Sequence, residues 1–221
     1  IASLDYTSVA SAGAFASLQP VFVAFGASIF LKERIGQRVK MGIGLAVLGG
    51  LIVGGGDLLH VTGTAFYGDF LALICAIMIS LYFVTGRALR QHLDILPYLV
   101  VVYTSSMVVV AVLSLASGVP LVILNTKSFA SLLALGIVST AMGHGIFNWS
   151  LKFVQASTVS LVMLASPVAE TLWVYIFLGQ KPSITSIIGG VIVITGTVLA
   201  MGNDREKTRR VTDGNIAGEL N

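Results

Sequence analysis

The sequence predicts an all-α integral membrane protein: an inverted repeat of five-helix units, represented here by seven transmembrane helices. These are the last two helices of a first unit and a complete second unit. Three observations carry the prediction. Hydrophobic residues make up 56% of the chain and charged residues only 10%, against about 25% charged in an ordinary soluble domain, so too few polar residues exist to cover a water-facing surface. Apolar runs of membrane-crossing length recur along the whole chain. Finally, Ser3–Asp57 reappears without a gap as Ser150–Asp204, 147 residues later, with eleven of 55 aligned positions identical.

A helix rises 1.5 Å per residue, so about 20 apolar residues cross about 30 Å of hydrocarbon. The first span, Val9–Leu31, contains Pro20; the second, Met41–Gly56, is short and glycine-rich. Phe66–Gly86, Pro97–Ser117 and Phe129–Leu151 follow, then Ala156–Leu178 with Pro167, and Ile184–Gly202. The runs are too long and continuous to alternate as barrel strands do, which leaves helix as the spanning state. Residues 203–221 form a polar tail.

Basic residues set the direction. Lys32, Arg34, Arg38 and Lys40 follow the first span, Arg87 and Arg90 the third, Lys152 the fifth, and Arg205, Lys207, Arg209 and Arg210 the seventh. These regions alternate correctly and hold 11 of the 13 Lys and Arg residues; Lys127 and Lys181 fall on the other side. Under the positive-inside rule the C-terminus is cytoplasmic and the segment before Val9 external. The net charge of +3 therefore reports orientation, and no nucleic-acid partner is expected.

Direction and repeat together define the architecture. The first span matches the sixth, five spans later, so the two cross in opposite senses and the repeat is inverted. Residues 1–57 correspond to the end of a first unit and residues 66–202 to a complete second one. On this reading roughly 80 residues and three helices are expected upstream; the alternative is a genuine seven-helix protein.

Short motifs fit the same frame. Leu18-Gln19-Pro20-Val21-Phe22 leads to Phe30-Leu31-Lys32-Glu33-Arg34. Gly143-His144-Gly145-Ile146-Phe147-Asn148-Trp149 is followed by Ser166-Pro167-Val168 and Leu178-Gly179, and Gly68-Asp69-Phe70-Leu71-Ala72 runs on to Tyr82 and Arg87. In order and spacing the chain resembles the EamA branch of the drug/metabolite transporter superfamily over residues 3–202. That resemblance implies ten helices in two inverted halves, alternating access, and usually export of small polar metabolites, amino acids or amphipathic compounds. One position departs: the acidic residue that commonly follows Leu-Gly is Gln180 here, whereas the first copy keeps Glu33.

The candidate coupling residue is Glu170, near the middle of the sixth span. An acidic side chain at that depth costs about 2.5–3.5 kcal/mol or more, so it is expected to face protein or a water-filled cavity. It reads either as a proton-coupling or cation site or as a protonated partner of a neighbouring helix. Pro20 and Pro167 each remove a helical amide donor and are expected to kink equivalent helices. His144 and Asn148 lie four apart on one helical face. With Trp173, Tyr82 and Tyr103 they are candidate cargo-binding residues suited to an amine or amino-acid-like molecule; interhelical hydrogen bonding is the competing role, above all for Asn148. Tyr175 reads as an interfacial aromatic, Asp69 as a helix-start carboxylate and Asp94 as a solvated loop charge.

Catalysis is not expected. His60, His92 and His144 are scattered, Cys75 is the single cysteine, and no glycine-rich phosphate loop occurs, so metal, disulfide and nucleotide chemistry have no residues to carry them and no cofactor is expected. The expected partners are the lipid bilayer and a small-molecule substrate, with a homodimer as a further option. The competing function is a membrane assembly subunit, or a fragment without an enclosed pathway.

Overall fold

The structure, a computed structural model, describes Tyr6 and residues 9–54, 65–118, 125–179 and 183–219; the side chains of 9–11, 54, 65, 167, 170, 174, 178 and 203–219 lie outside that description. Every regular element among the described residues is helical. In order they are α1 (Val9–Ala16), α2 (Gln19–Phe30), α3 (Gln37–Gly54), α4 (Ala65–Arg90), α5 (Ile95–Ala116) and α6 (Thr126–Ala134). A π-helical segment (Leu135–His144), α7 (Gly145–Ser150), α8 (Ala156–Leu164), α9 (Ser166–Leu178) and α10 (Ile184–Glu219) complete the chain.

Five helical stretches among the described residues are long and apolar enough to cross a membrane: Ala12–Phe30, Phe66–Arg90, Ile95–Ala116, Thr126–Ser150 and Ile184–Gly202. The expected second and sixth spans are not among them. The second, α3, opens on the polar run Gln37-Arg38-Val39-Lys40 within its 18 residues. The sixth comprises α8 and α9, and the side chains of 167, 170, 174 and 178 within it lie outside the described residues.

Both proline-bearing spans are interrupted at matching places. α1 gives way to α2 across Ser17 and Leu18, and α8 to α9 at Ala165. Each proline stands in the first turn of the following helix, where the missing amide removes no intrahelical bond. Hydroxyls supply donors beside the breaks: Ser17 Oγ donates to the Gly13 carbonyl at 2.9 Å and Ser166 Oγ to the Met163 carbonyl at 2.6 Å. Beyond the two helices the chain turns through left-handed residues, Lys32 (φ 53°) and Gly179 (φ 66°), again 147 positions apart.

The chain divides into two compact units, Ile1–Val84 with Val154–Asn221, and Thr85–Phe153. In the first, α3 packs along α10, with α1, α2 and α8 against them. Val39, Ile43 and Ala46 of α3, Leu161 of α8 and Ala200 of α10 form its buried core. Glycines set the approach of α3 and α10. A Cβ placed on Gly42 would lie 2.5 Å from the Gly196 carbonyl oxygen, and one on Gly49 would lie 2.6 Å from that of Gly189. The neighbouring contacts follow suit: Gly42 meets Ala200 where Gly189 meets Val53, and Gly49 meets Val193 where Gly196 meets Ala46. Each pair becomes the other when shifted by 147 residues.

In the second unit α5, α6, the π-helical segment and α7 follow the last turn of α4. The predicted α-helix of the fifth span is instead π-helical for ten residues. Gly136 and Gly143 fall within it, and Tyr103 Oη of α5 donates to the Thr140 carbonyl at 3.0 Å. That interhelical bond engages an acceptor on the widened turn. Asn125 caps α6 by accepting from the Ser128 amide at 2.7 Å. Asp69 is not in the first turn of α4, which starts at Ala65, so the helix-start role expected for it does not apply.

Candidate functional site

The candidate residues are divided between the units. Tyr82 and Trp173 belong to the first, and Tyr103, His144 and Asn148 to the second. In the first unit Tyr82 is half-buried and meets Phe83 edge-on, with ring centroids 5.6 Å apart. Trp173 is exposed and stacks on Phe177 at 5.5 Å. Glu170 stands in the first turns of α9, but its side chain, like that of Pro167, lies outside the described residues.

Polar contacts are denser in the second unit. Asn148 is only 1% exposed, and its Oδ1 accepts from Tyr98 Oη at 3.4 Å. Gly86 makes this packing feasible: a Cβ there would lie 2.8 Å from the Tyr98 hydroxyl and 2.9 Å from Leu151. Two arginines on the last turn of α4 then cap the end of α7. Arg90, 2% exposed, donates through Nε to the Asn148 carbonyl at 3.2 Å and through Nη1 to the Leu93 carbonyl. Arg87 Nη1 reaches the carbonyls of Leu151 (2.6 Å) and Lys152 (2.9 Å). Carbonyls at a helix C-terminus lack intrahelical donors and carry partial negative charge, so guanidinium groups suit them doubly. Lys152 also pairs with Asp94 at 3.2 Å.

His144, half-buried, closes the π-helical segment four residues before Asn148. Tyr103 meets that segment at Thr140 rather than at His144. Sequence reasoning assigned Arg87 and Arg90 to loop charge alone and passed over Tyr98 and Thr140. The three-residue spacing of the arginines, which puts them on one helical face, was the available signal for the caps.

Between α5 and the π-helical segment lies a groove of about 320 Å³, lined chiefly by Ile95, Leu99, Ala141, Gly145, Ile146 and Trp149. The ring of Trp149 packs against Phe153 at 4.9 Å. Small-molecule pockets are of this order of volume and this largely apolar character.

Long apolar helices, some broken beside proline and joined through glycine, define a multi-pass membrane protein. The chain belongs to the EamA-like transporter family, whose sequence model matches residues 1–55 and 66–202. It is 23% identical to the uncharacterized transporter YdfC of Bacillus subtilis over 80% of its own length and 57% of that protein's. With YoaV of the same bacterium it shares 24% identity over 80% of this chain and 61% of the relative. An uncharacterized transporter of Archaeoglobus fulgidus is 26% identical over 89% of this chain and 69% of its own length. The chain thus spans about three fifths of the two Bacillus relatives. A solved crystal structure has the same fold, with a TM-score of 0.77 at 19% identity over 93% of this chain and 71% of that one.

Proposed function

We propose that this chain is the larger part of a secondary transporter that moves small amino-acid-like, drug-like or other amphipathic metabolites across the cell membrane by alternating access. The full protein holds two inverted five-helix halves; residues 1–57 close the first and residues 66–202 form the second, giving seven spans here. The observation that carries this reading is the exchange of glycine contacts between α3 and α10. Gly42 against Gly196 and Gly189 against Gly49 interconvert under the sequence repeat, as expected of helices related by a two-fold axis in the membrane plane. The YdfC, YoaV and archaeal relatives are transporters by name, and each is longer than this chain by an amount that leaves room for further helices.

His144, Asn148, Trp173, Tyr82 and Tyr103 are the candidate cargo contacts and Glu170 the candidate coupling carboxylate. Proton exchange or the cargo's own gradient drives movement outward, and the C-terminus is cytoplasmic under the positive-inside rule. The experiment is labelling of single cysteines, Gln37→Cys and Lys181→Cys, in the full-length protein in sealed vesicles. Access from opposite faces is expected; access from one face would overturn the inverted arrangement. Comparing metabolites released by cells with and without the gene then identifies the cargo, and an unchanged spectrum would remove the export reading.

A further inference from the structure

The turn that joins α2 to α3 presents cations from an anchored backbone. Between Leu31 and Met41 the chain places Lys32, Arg34, Arg38 and Lys40 against the single carboxylate of Glu33. All four cations are exposed, whereas Ile35 packs against the buried core and Val39 belongs to it. The amides of Leu31 and Glu33 both donate to the Ala27 carbonyl, at 3.1 and 3.2 Å, and so tie the turn to α2. Lys32, Arg34 and Lys40 form no ion pair with a described residue. The turn begins where the apolar span Ala12–Phe30 ends, and Ile29 and Phe30 beside it are exposed.

The repeat separates what the turn needs from what it carries. In the second copy Gly179 stands at the position of Lys32, Thr185 at that of Arg38 and Ile187 at that of Lys40; only Arg34 has a basic counterpart, Lys181. Lys32 and Gly179 share a left-handed backbone, with φ of 53° and 66°, which glycine adopts without the steric cost that a Cβ incurs. Strain of this kind is characteristic of functional positions. Orientation during insertion would be served by charge elsewhere in the loop.

We propose that this turn is a docking surface for anionic phospholipid headgroups, with Lys32, Arg34 and Lys40 at their phosphates and Phe30 among the acyl chains. The headgroups of a leaflet form a charged sheet, so cations spaced along a turn each meet a phosphate without converging on one. Such a sheet favours each nearby lysine or arginine by about fivefold in affinity. The surface requires only that the chain crosses a bilayer, and it is independent of cargo and coupling.

Brominated lipids provide the test. In the full-length protein with Phe30→Trp as sole tryptophan, quenching reports the lipids beside the turn. Brominated phosphatidylglycerol is expected to be preferred over brominated phosphatidylcholine by about tenfold or more. Lys32→Gly and Arg34→Gln are each expected to lower that preference about three- to fivefold. The glycine variant relieves the left-handed backbone, so its loss of preference cannot come from a folding defect. The control reporter is Ile184→Trp. Gly42 meets Gly196 and Gly49 meets Gly189, so α3 and α10 run antiparallel and the exposed Ile184 lies at the far end; no preference is expected there. Equal preference at both reporters, or a preference that survives both substitutions, overturns the surface. Loss of preference on adding inorganic phosphate at constant ionic strength assigns the cations to a free anion and overturns the lipid as occupant.

Discussion

Lys32 holds a left-handed backbone (φ 53°) that costs a residue with a Cβ about 1–2 kcal/mol. Its counterpart in the second copy is Gly179 (φ 66°), which adopts that conformation without the steric penalty. Lys32→Gly is therefore expected to raise resistance to unfolding by about 1 kcal/mol, measured by denaturant titration in detergent. Arg90 poses the opposite case. Its guanidinium reaches the carbonyls of Asn148 and Leu93, and bonds to charged donors contribute about 1.5–3 kcal/mol. Arg90→Ala is expected to lower stability by about 2–3 kcal/mol, with Arg90→Lys recovering only part, since an ammonium lacks the planar fork. The Lys152–Asp94 pair, with Asp94 85% exposed, belongs with surface ion pairs of about 0–1 kcal/mol. Its loss is expected to pass almost unnoticed in the same measurement.

Among elements, the contact of α3 with α10 is the most tightly constrained. A Cβ at Gly49 would sit 2.6 Å from the Gly189 carbonyl, whereas one at Gly44 meets nothing within 4 Å. Gly49→Ala is expected to cost about 1–3 kcal/mol through overpacking. Gly44→Ala, on the same helix, is expected to be neutral or to gain up to about 1 kcal/mol from helix propensity. Thermal unfolding of the two variants side by side separates packing from propensity. The glycines were visible in the sequence as matched positions, but not their partners: the repeat aligns Gly42 with Gly189, while space pairs Gly42 with Gly196. The interruptions at Ser17–Leu18 and Ala165 fall beside prolines the sequence marks plainly. The π-helical segment was not legible, because Leu135–His144 has the same apolar composition as an α-helix, and the i→i+5 pattern is a property of backbone and tertiary contact.

On the scale of the molecule, Glu170 connects architecture to energetics. If the carboxyl exchanges protons during transport, Glu170→Gln fixes a neutral group there, and the dependence of transport on a proton gradient is expected to disappear while the protein still folds. Uptake into vesicles with and without an imposed gradient measures this, and unchanged coupling would leave Glu170 a structural partner of a neighbouring helix. Composition and the length of the apolar runs were sufficient to determine a helical membrane protein, because bilayer crossing demands long apolar helices, and the order and spacing of short motifs carried the resemblance to the EamA-like family. They also selected His144, Asn148, Tyr82, Tyr103 and Trp173 as polar or aromatic residues in apolar spans. Only the tertiary structure decided what they meet: Asn148 meets Tyr98, Tyr103 the Thr140 carbonyl, Tyr82 the Phe83 ring and Trp173 the Phe177 ring, while two arginines take the carbonyls that end α7. The reason is physical. Hydropathy depends on what each residue is, whereas caps, grooves and glycine contacts depend on which distant atoms the folded backbone brings within about 3 Å.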